Sequence, residues 1–438
     1  MQLYSTQQAR NTRETVTFKD AIFKGLPEDG GLFMPVSFPR LPDEFFAGIQ
    51  QLSFQDIAFT VARALLKEEI PEPALRAIVN DAINFDAPLV TLEPHKHVLE
   101  LFQGPTLAFK DFGARFMSRV MSYFLNEGTV SGPVHILVAT SGDTGSAVAQ
   151  GFYNVPGIRV TLLYPKGKVS TLQEQQLTTA GGNVEAIEVD GTFDDCQRMV
   201  KEAFLDKELN RQFHLASANS INISRLIPQS FYYFHAYAQL PDAETAPVFC
   251  VPSGNFGNLC GGLIARQMGL PVAQIIAATN INKIVPEYLQ EGIFRPRPSV
   301  STVANAMDVG NPSNFARLQA FFDPDSDPRE HMIKLITGKF YNDHETLATL
   351  KEVQEQFHYT MCPHTAIGYR GLSEYPLADG QHGIVLATAH PAKFIDVVEP
   401  VIKGKVNLPD PLKEAMSKEK KAISMANDFE FLKAYLLG

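Results

Sequence analysis

The chain has 438 residues, enough for two or three domains at about 150 residues each, and its 45% hydrophobic and 20% charged content is that of an ordinary globular protein. Its 48 acidic residues outnumber 38 basic ones, giving a net charge of −10. The acidic residues are spread along the chain rather than run together, which argues against nucleic acid or an anionic membrane as a partner and requires a local basic pocket for any anionic ligand.

In chain order, the first ninety or so residues carry a short helical pattern at 18–26, then Gly30-Gly31-Leu32-Phe33-Met34-Pro35 as a turn into an apolar strand. A proline-punctuated stretch follows, then a helix over 54–69 with Ser53 as its N-cap, and a helix over 71–83 with Leu75, Ile78, Val79, Ala82 and Ile83 on one face. Nothing in them suggests chemistry, and 1–94 reads as a mainly helical N-terminal domain. From about 95 the pattern becomes strand, glycine-containing loop, helix, repeated. Val98, Leu99, Leu101 and Phe102 suggest a strand that Gly104-Pro105 breaks, and Phe112, Phe116, Val120 and Phe124 recur with helical spacing, which puts Lys110 at the mouth of a helix. Strands at 134–139, 159–164 and 184–189 alternate with helices starting at 146, 170 and 193. The second half repeats the theme, with a long aromatic helix over 224–240, strands at 248–251 and 274–278, and a helix over 259–268. Residues 295–329, rich in proline, asparagine and serine, read as an extended functional loop region. A last apolar strand over 383–388 leads into Ala389-His390-Pro391-Ala392-Lys393, with Pro391 near the first turn of a helix. The tail beyond Pro409 is charged and reads as peripheral. This alternation predicts an α/β fold of mostly parallel sheets covered by helices, with a main body over 95–438 that includes a smaller mobile subdomain at about 113–215.

Cys196, Cys250, Cys260 and Cys362 are scattered, with no CxxC pair and no metal-ligand spacing, and read as reduced core thiols. The start of the chain has no apolar run of signal-peptide length, and no segment approaches the ~20 apolar residues of a membrane span. The expected compartment is the cytoplasm.

Three loops and one lysine carry the chemistry. Lys110 stands where a helix dipole disfavours a cation, between Phe109 and Phe112, where desolvation would depress its pKa and make the amine nucleophilic, as a Schiff-base lysine requires. A surface lysine snorkelling over apolar neighbours would show the same local pattern. In Ser253-Gly254-Asn255-Phe256-Gly257-Asn258, glycines let the backbone curl so that amides at a helix N-terminus can cradle a phosphate. This is neither a Walker loop nor a dinucleotide fingerprint, which demotes ATP and NAD. Thr140-Ser141-Gly142-Asp143-Thr144-Gly145 supplies hydroxyls, amides and a carboxylate, donors that suit a substrate carboxylate. Each loop taken alone could be a tight strand-to-helix turn. The third is the loop at His390; the His390 side chain could donate a proton but reads as a structural ligand to backbone. Ligands in open parallel sheets bind beyond the carboxyl ends of the strands, where all three loops lie.

Four ordered motifs, LAFKDFGARFM around Lys110, TSGDTGSA at 140–147, PSGNFGN at 252–258 and ATAHPAKF at 387–394, resemble the threonine synthase family. These are pyridoxal-phosphate enzymes of the tryptophan-synthase-β class (PLP fold type II), and the N-terminal helices suggest the longer bacterial and fungal subgroup. The resemblance implies pyridoxal 5'-phosphate on Lys110, its phosphate on Gly254, Asn255, Phe256, Gly257 and Asn258, Asp143 near its phenolic oxygen and Thr388 as a neutral partner of its pyridine nitrogen. It implies that Ser141 and Thr144 hold the substrate carboxylate. Arg225, Ser313, Asn314 and Lys393 are candidates for the substrate phosphate. The implied reaction converts O-phospho-L-homoserine and water to L-threonine and phosphate in a carbon–oxygen lyase, a monomer or homodimer, with Lys110 also the proton shuttle. Two alternatives remain: a related phospho-lyase releasing keto acid and ammonia, and a phosphate-binding protein without catalysis.

Overall fold

Two separate sheets share the strands predicted for the main body. The computed structural model describes residues 1–9, 13–128, 132–241, 245–322 and 327–438. A five-stranded sheet runs Ile423–Ala426, Val184–Asp190, Ile158–Pro165, Val134–Ala139, His214–Ser217 from edge to edge, every neighbour parallel. A six-stranded sheet runs Ile336–Phe340, Gln274–Thr279, Val248–Pro252, Gly383–Ala387, Lys96–Glu100, Leu89–Glu93, and its last pairing alone is antiparallel. Val134–Ala139, Val248–Pro252 and Gly383–Ala387 are buried at every position. That is why they read as continuous apolar runs: parallel strands covered on both faces have no wet side to alternate with. Even His135 is accommodated, its Nε2 2.9 Å from Thr161 Oγ1 on the next strand.

The helix Lys110–Asn126 leads from the larger sheet to the smaller. It buries Phe112, Phe116, Met117, Val120 and Met121 and lies against Asp143–Phe152 so closely that a Cβ at Gly151 would stand 3.1 Å from the Ala114 backbone. The aromatic stretch after Asn222 is not one helix. Pro228 has no N–H to offer, and the chain divides into Ile223–Leu226, a 3₁₀ turn Ile227–Ser230 and Phe231–Ala238.

The N-terminal region contains the expected helices Phe18–Lys24, Phe54–Leu66 and Glu72–Ala82, the first two capped by Thr17 and Ser53. It also forms a small antiparallel sheet, with Gln2–Ser5 between Val16–Thr17 and Phe33–Pro35. Leu89–Glu93, grouped with these helices in the sequence-based division, is the edge strand of the larger sheet; none of its residues is fully buried, so its pattern is weak. Phe54 stacks on His235 with ring centroids 4.1 Å apart, tying the N-terminal helices to the aromatic stretch.

The irregular stretch after Glu291 is ordered by side chains. Asn280 Nδ2 donates to Asp308 Oδ1 at 2.8 Å, and Asp308 Oδ2 accepts from the Thr302 amide at 3.0 Å. Residues 323–326 of the predicted loop region lie outside the described residues. All four cysteines are buried and unpaired with one another. Among the described residues no helix is long and apolar enough to cross a membrane.

The charged tail is not peripheral. Ile423–Ala426 adds a parallel edge strand to the smaller sheet through Val184–Asp190, and Phe429–Leu437 buries Leu432 and Leu436 in the cluster with Cys196, Met199 and Ala203. Few apolar residues in a charged run carry the contact, and composition alone hides them. Leu432→Ala is expected to destabilise the protein by about 2–5 kcal/mol, the usual cost of a buried leucine truncation. Urea unfolding would measure it, and a change within about 0.5 kcal/mol, as at surface sites, would contradict the tail's place in the core.

Candidate active site

Loops from both sheets line one cleft of about 1000 Å³. Thr140, Ser141, Asp143 and Thr144 follow Val134–Ala139, residues 253–258 follow Val248–Pro252, Thr388 follows Gly383–Ala387, and Lys110 is reached from Lys96–Glu100. This is the carboxyl-end position that parallel sheets offer to ligands.

Lys110 is the first residue of its helix. The turn before it is fastened to the Thr388 segment: the Phe109 amide donates to the Thr388 carbonyl at 2.9 Å and the His390 amide to the Leu107 carbonyl at 3.0 Å. Leu107 takes a φ of +60° to make this turn, a conformation uncommon for a bulky residue. The Lys110 side chain is 18% exposed, with Nζ 3.9 Å from Asp143 Oδ2. Burial lowers its pKa; Asp143 opposes this, and Lys393 and Arg225 add to it. The amine is thus less basic than a surface lysine, as the sequence predicted.

Asp143, at the start of the helix Asp143–Phe152, is buried between charges. Lys393 Nζ lies 2.8 Å from Oδ1, and Gln173 Nε2 donates to the same oxygen at 3.0 Å. Burial pushes the carboxyl up, but Lys393 and Lys110 outweigh it and hold the group well below the usual carboxylate range. Gly142, with φ +133°, is required here, since a Cβ would stand 2.5 Å from Gln173 Cδ.

In the glycine loop, Phe256 takes φ +59° as N-cap of the helix Gly257–Gln267. Among the described residues, no hydrogen bond to a protein acceptor engages the amides of Gly254, Asn255, Phe256, Gly257 or Asn258. A Cβ at Gly254 would stand 2.8 Å from the Ala306 carbonyl. The Asn258 side chain is spent on the loop itself: Oδ1 accepts from Ser253 Oγ and Nδ2 donates to the Pro252 carbonyl at 2.8 Å. Ser313 donates from its amide and hydroxyl to Asn255 Oδ1 at 3.1 and 2.8 Å. Asn314, fully buried, braces the loop by donating to the Asn255 carbonyl at 3.0 Å.

Of the candidates for an anionic group, Arg225 and Ser313 line the cleft, whereas Asn314 and Lys393 lie behind its wall. Arg225 donates from one terminal nitrogen to the Ala218 carbonyl, while its buried Nε has no partner among the described residues. Lys393 is wholly buried and bonded to Asp143 and, at 2.9 Å, to the Thr106 carbonyl. His390 caps the turn Pro391–Phe394, its Nδ1 accepting from the Ala392 amide at 3.1 Å.

Sequence reasoning missed His364 and Gln173. His364 lines the cleft, and its Nε2 accepts from the Ala306 amide at 3.1 Å. Burial pulls its pKa down to about 4; Asp143 opposes this and Lys110 and Lys393 reinforce it, so the ring is neutral near pH 7. Neither residue sits in a glycine loop, so neither carried a local signal.

An amine of depressed basicity opposite an unsatisfied amide cradle fits a phosphorylated aldehyde. Gly254→Ala is expected to force the loop off Ala306 and weaken phosphate binding at least tenfold, measurable by titration with inorganic phosphate; affinity equal to wild type would mean that the cradle lies elsewhere.

Comparison with known proteins agrees with this geometry. The model of the family "Pyridoxal-phosphate dependent enzyme" matches residues 87–387, that of the threonine synthase N terminus 3–83, and that of the threonine synthase C-terminal region 365–436. Curated threonine synthases of Escherichia coli (strain K12) and Haemophilus influenzae are 41% and 43% identical to this chain, each over 100% of both chains. The crystal structure of the E. coli threonine synthase aligns with a TM-score of 0.92 at 41% identity, covering 100% of this chain and 99% of that one. The PLP-bound threonine synthase from Brucella melitensis aligns with a TM-score of 0.92 at 33% identity, covering 100% and 98%. The chain therefore belongs to the threonine synthases, within the pyridoxal-phosphate-dependent enzymes.

Proposed function

We propose that the chain converts O-phospho-L-homoserine and water to L-threonine and phosphate, with pyridoxal 5'-phosphate carried on Lys110. The observation that carries this reading is the meeting, in one cleft, of Lys110 with the acceptor-free amides at Gly254, Asn255, Phe256, Gly257 and Asn258. When bound, the cofactor supplies the electron withdrawal that makes protons near the substrate's amino group removable.

The chain's own residues supply the rest. The glycine-loop amides would hold the cofactor phosphate, Asp143 stands beside Lys110 as a carboxylate paired with Lys393, and Thr388 would offer a hydroxyl to the pyridine nitrogen. A neutral hydroxyl stabilises a protonated ring less than a carboxylate would, which leaves charge free for reaction further along the substrate. Lys110, its basicity lowered by burial, exchanges the proton at Cα. Ser141 and Thr144, at the start of Asp143–Phe152, hold the substrate carboxylate, as a helix N-terminus favours. Arg225, which lines the cleft, stabilises the departing phosphate, with Ser313, also in the lining, fixing Asn255. The smaller sheet's unit closes on substrate to exclude water until phosphate has left. The same reading makes the protein a cytoplasmic monomer or homodimer acting on a small molecule, without nucleic acid; the net charge of −10 supports the last point alone.

The test is to mix the purified protein with O-phospho-L-homoserine and assay products in one vessel. Threonine and phosphate are expected in equal amounts, both lost in Lys110→Ala together with the visible absorption; phosphate with a keto acid would replace this reading by the phospho-lyase. Arg225→Ala is expected to lower kcat/KM by about 10–100-fold, since hydrogen bonds to charged groups are worth about 1.5–3 kcal/mol. Steady-state kinetics measure it, and an unchanged kcat/KM would remove Arg225 from the phosphate site.

A further inference from the structure

Lys393 combines features that a surface ion pair or a substrate ligand lacks. Its side chain is 0% exposed, and its ammonium is shared between Asp143 Oδ1 at 2.8 Å and the Thr106 carbonyl at 2.9 Å. Reaching a ligand in the cleft would break both bonds and leave the Asp143 carboxylate buried without its counter-ion, an expensive arrangement. The two acceptors are themselves fixed. Thr106 is gripped by Asp111, which accepts from its amide at 2.8 Å and from its hydroxyl at 2.6 Å, and Gln173 holds Asp143 from the other side at 3.0 Å. The oxygen of Asp143 that Lys393 does not take is the one 3.9 Å from Lys110, beyond hydrogen-bond length.

We propose that Lys393 is a positioning residue for the chemistry of Lys110: its buried ammonium neutralises Asp143, so that the carboxylate stands beside Lys110 without holding a proton on the amine. The inference rests on the reading of Lys110 as the cofactor lysine. An isolated carboxylate within about 4–6 Å raises the pKa of a neighbouring amine by about 1–3 units, which would leave little free amine near neutral pH. A paired carboxylate keeps its hydrogen-bonding oxygen but loses most of its net field. The other charged or titratable groups around Lys110 do not do this work. Arg225 is a cation fixed to the Ala218 carbonyl, His364 is neutral, and Asp111 is spent on Thr106.

The test uses the full chain stripped of cofactor and measures the rate at which added pyridoxal phosphate produces visible absorption, as a function of pH. Capture requires the uncharged amine, so the midpoint reports the protonation of Lys110 and needs no turnover. Lys393→Met is expected to shift the midpoint upward by about one unit or more, because Asp143 then faces Lys110 alone. Asp143→Asn is expected to shift it downward, leaving Lys393 as an unbalanced cation, and Asp143→Asn with Lys393→Met to bring it back towards wild type. If Lys393→Met does not fold, Asp143→Asn against the double variant decides, because these two differ in the Lys393 charge and neither contains the Asp143 carboxylate. Equal midpoints in that pair, or a folded Lys393→Met with the wild-type midpoint, would overturn the proposal. So would a Lys393→Met variant that keeps the wild-type midpoint but loses affinity for inorganic phosphate, which would make Lys393 a phosphate ligand. Absence of any visible band in the wild type would instead defeat the cofactor reading on which the inference stands.

Discussion

Asp143 brings one carboxylate into a space it shares with two lysine nitrogens, the ammonium of Lys393 2.8 Å away and the amine of Lys110 3.9 Å away. All three side chains are buried or nearly so, where charges interact strongly and an unpaired one is costly. The arrangement is therefore a constraint on the fold as well as on the chemistry. Asp143 comes from the helix after the central region of the smaller sheet, Lys393 from the turn after a central strand of the larger sheet, and Lys110 from the helix that runs between them. The two sheets have to hold this relation for the buried Asp143–Lys393 pair to be tolerated beside Lys110.

Much of the surrounding structure serves to keep that relation. The Leu107 turn, with its positive φ, is fastened to the Thr388 segment by two backbone hydrogen bonds, which sets where Lys110 leaves the sheet. Thr106 joins the same region to Lys393 through its carbonyl and to Asp111 through its amide and hydroxyl. Across the cleft the glycine loop is held from outside by Ser313 and Asn314, and its own asparagine, Asn258, is used up inside it. The amides are thereby left free for a ligand while the side chains around them are committed. That division, backbone for binding and side chains for bracing, explains why glycines stand at Gly142 and Gly254, where a Cβ would strike Gln173 or Ala306.

Strands buried on both faces, such as Val134–Ala139, were legible because burial on both sides leaves a continuous apolar run. Lys110 was legible because an apolar strand, a Gly-Pro break and a helical repeat bracket it. What failed to show is what depends on contacts between distant residues. The tail strand Ile423–Ala426 is recognisable through its pairing with Val184–Asp190, and Leu89–Glu93 through its pairing with Lys96–Glu100. Lys393 and Asn314 looked like phosphate ligands because sequence gives residue type and rough position but not which side of a wall a side chain occupies. His364 and Gln173 had no motif at all; they reach the site because the helix Pro363–Ser373 and the helix Thr171–Thr178 begin against it.

The central claim is that, of two lysines a few ångströms from one carboxylate, Lys110 carries the cofactor and Lys393 supplies only charge. The most direct measurement is to load the protein with pyridoxal phosphate, reduce it with borohydride, digest it and map the modified lysine by mass spectrometry. The account predicts the pyridoxyl label on Lys110 and none on Lys393. A label on Lys393, or no labelled lysine in a protein that has bound the cofactor, would contradict it.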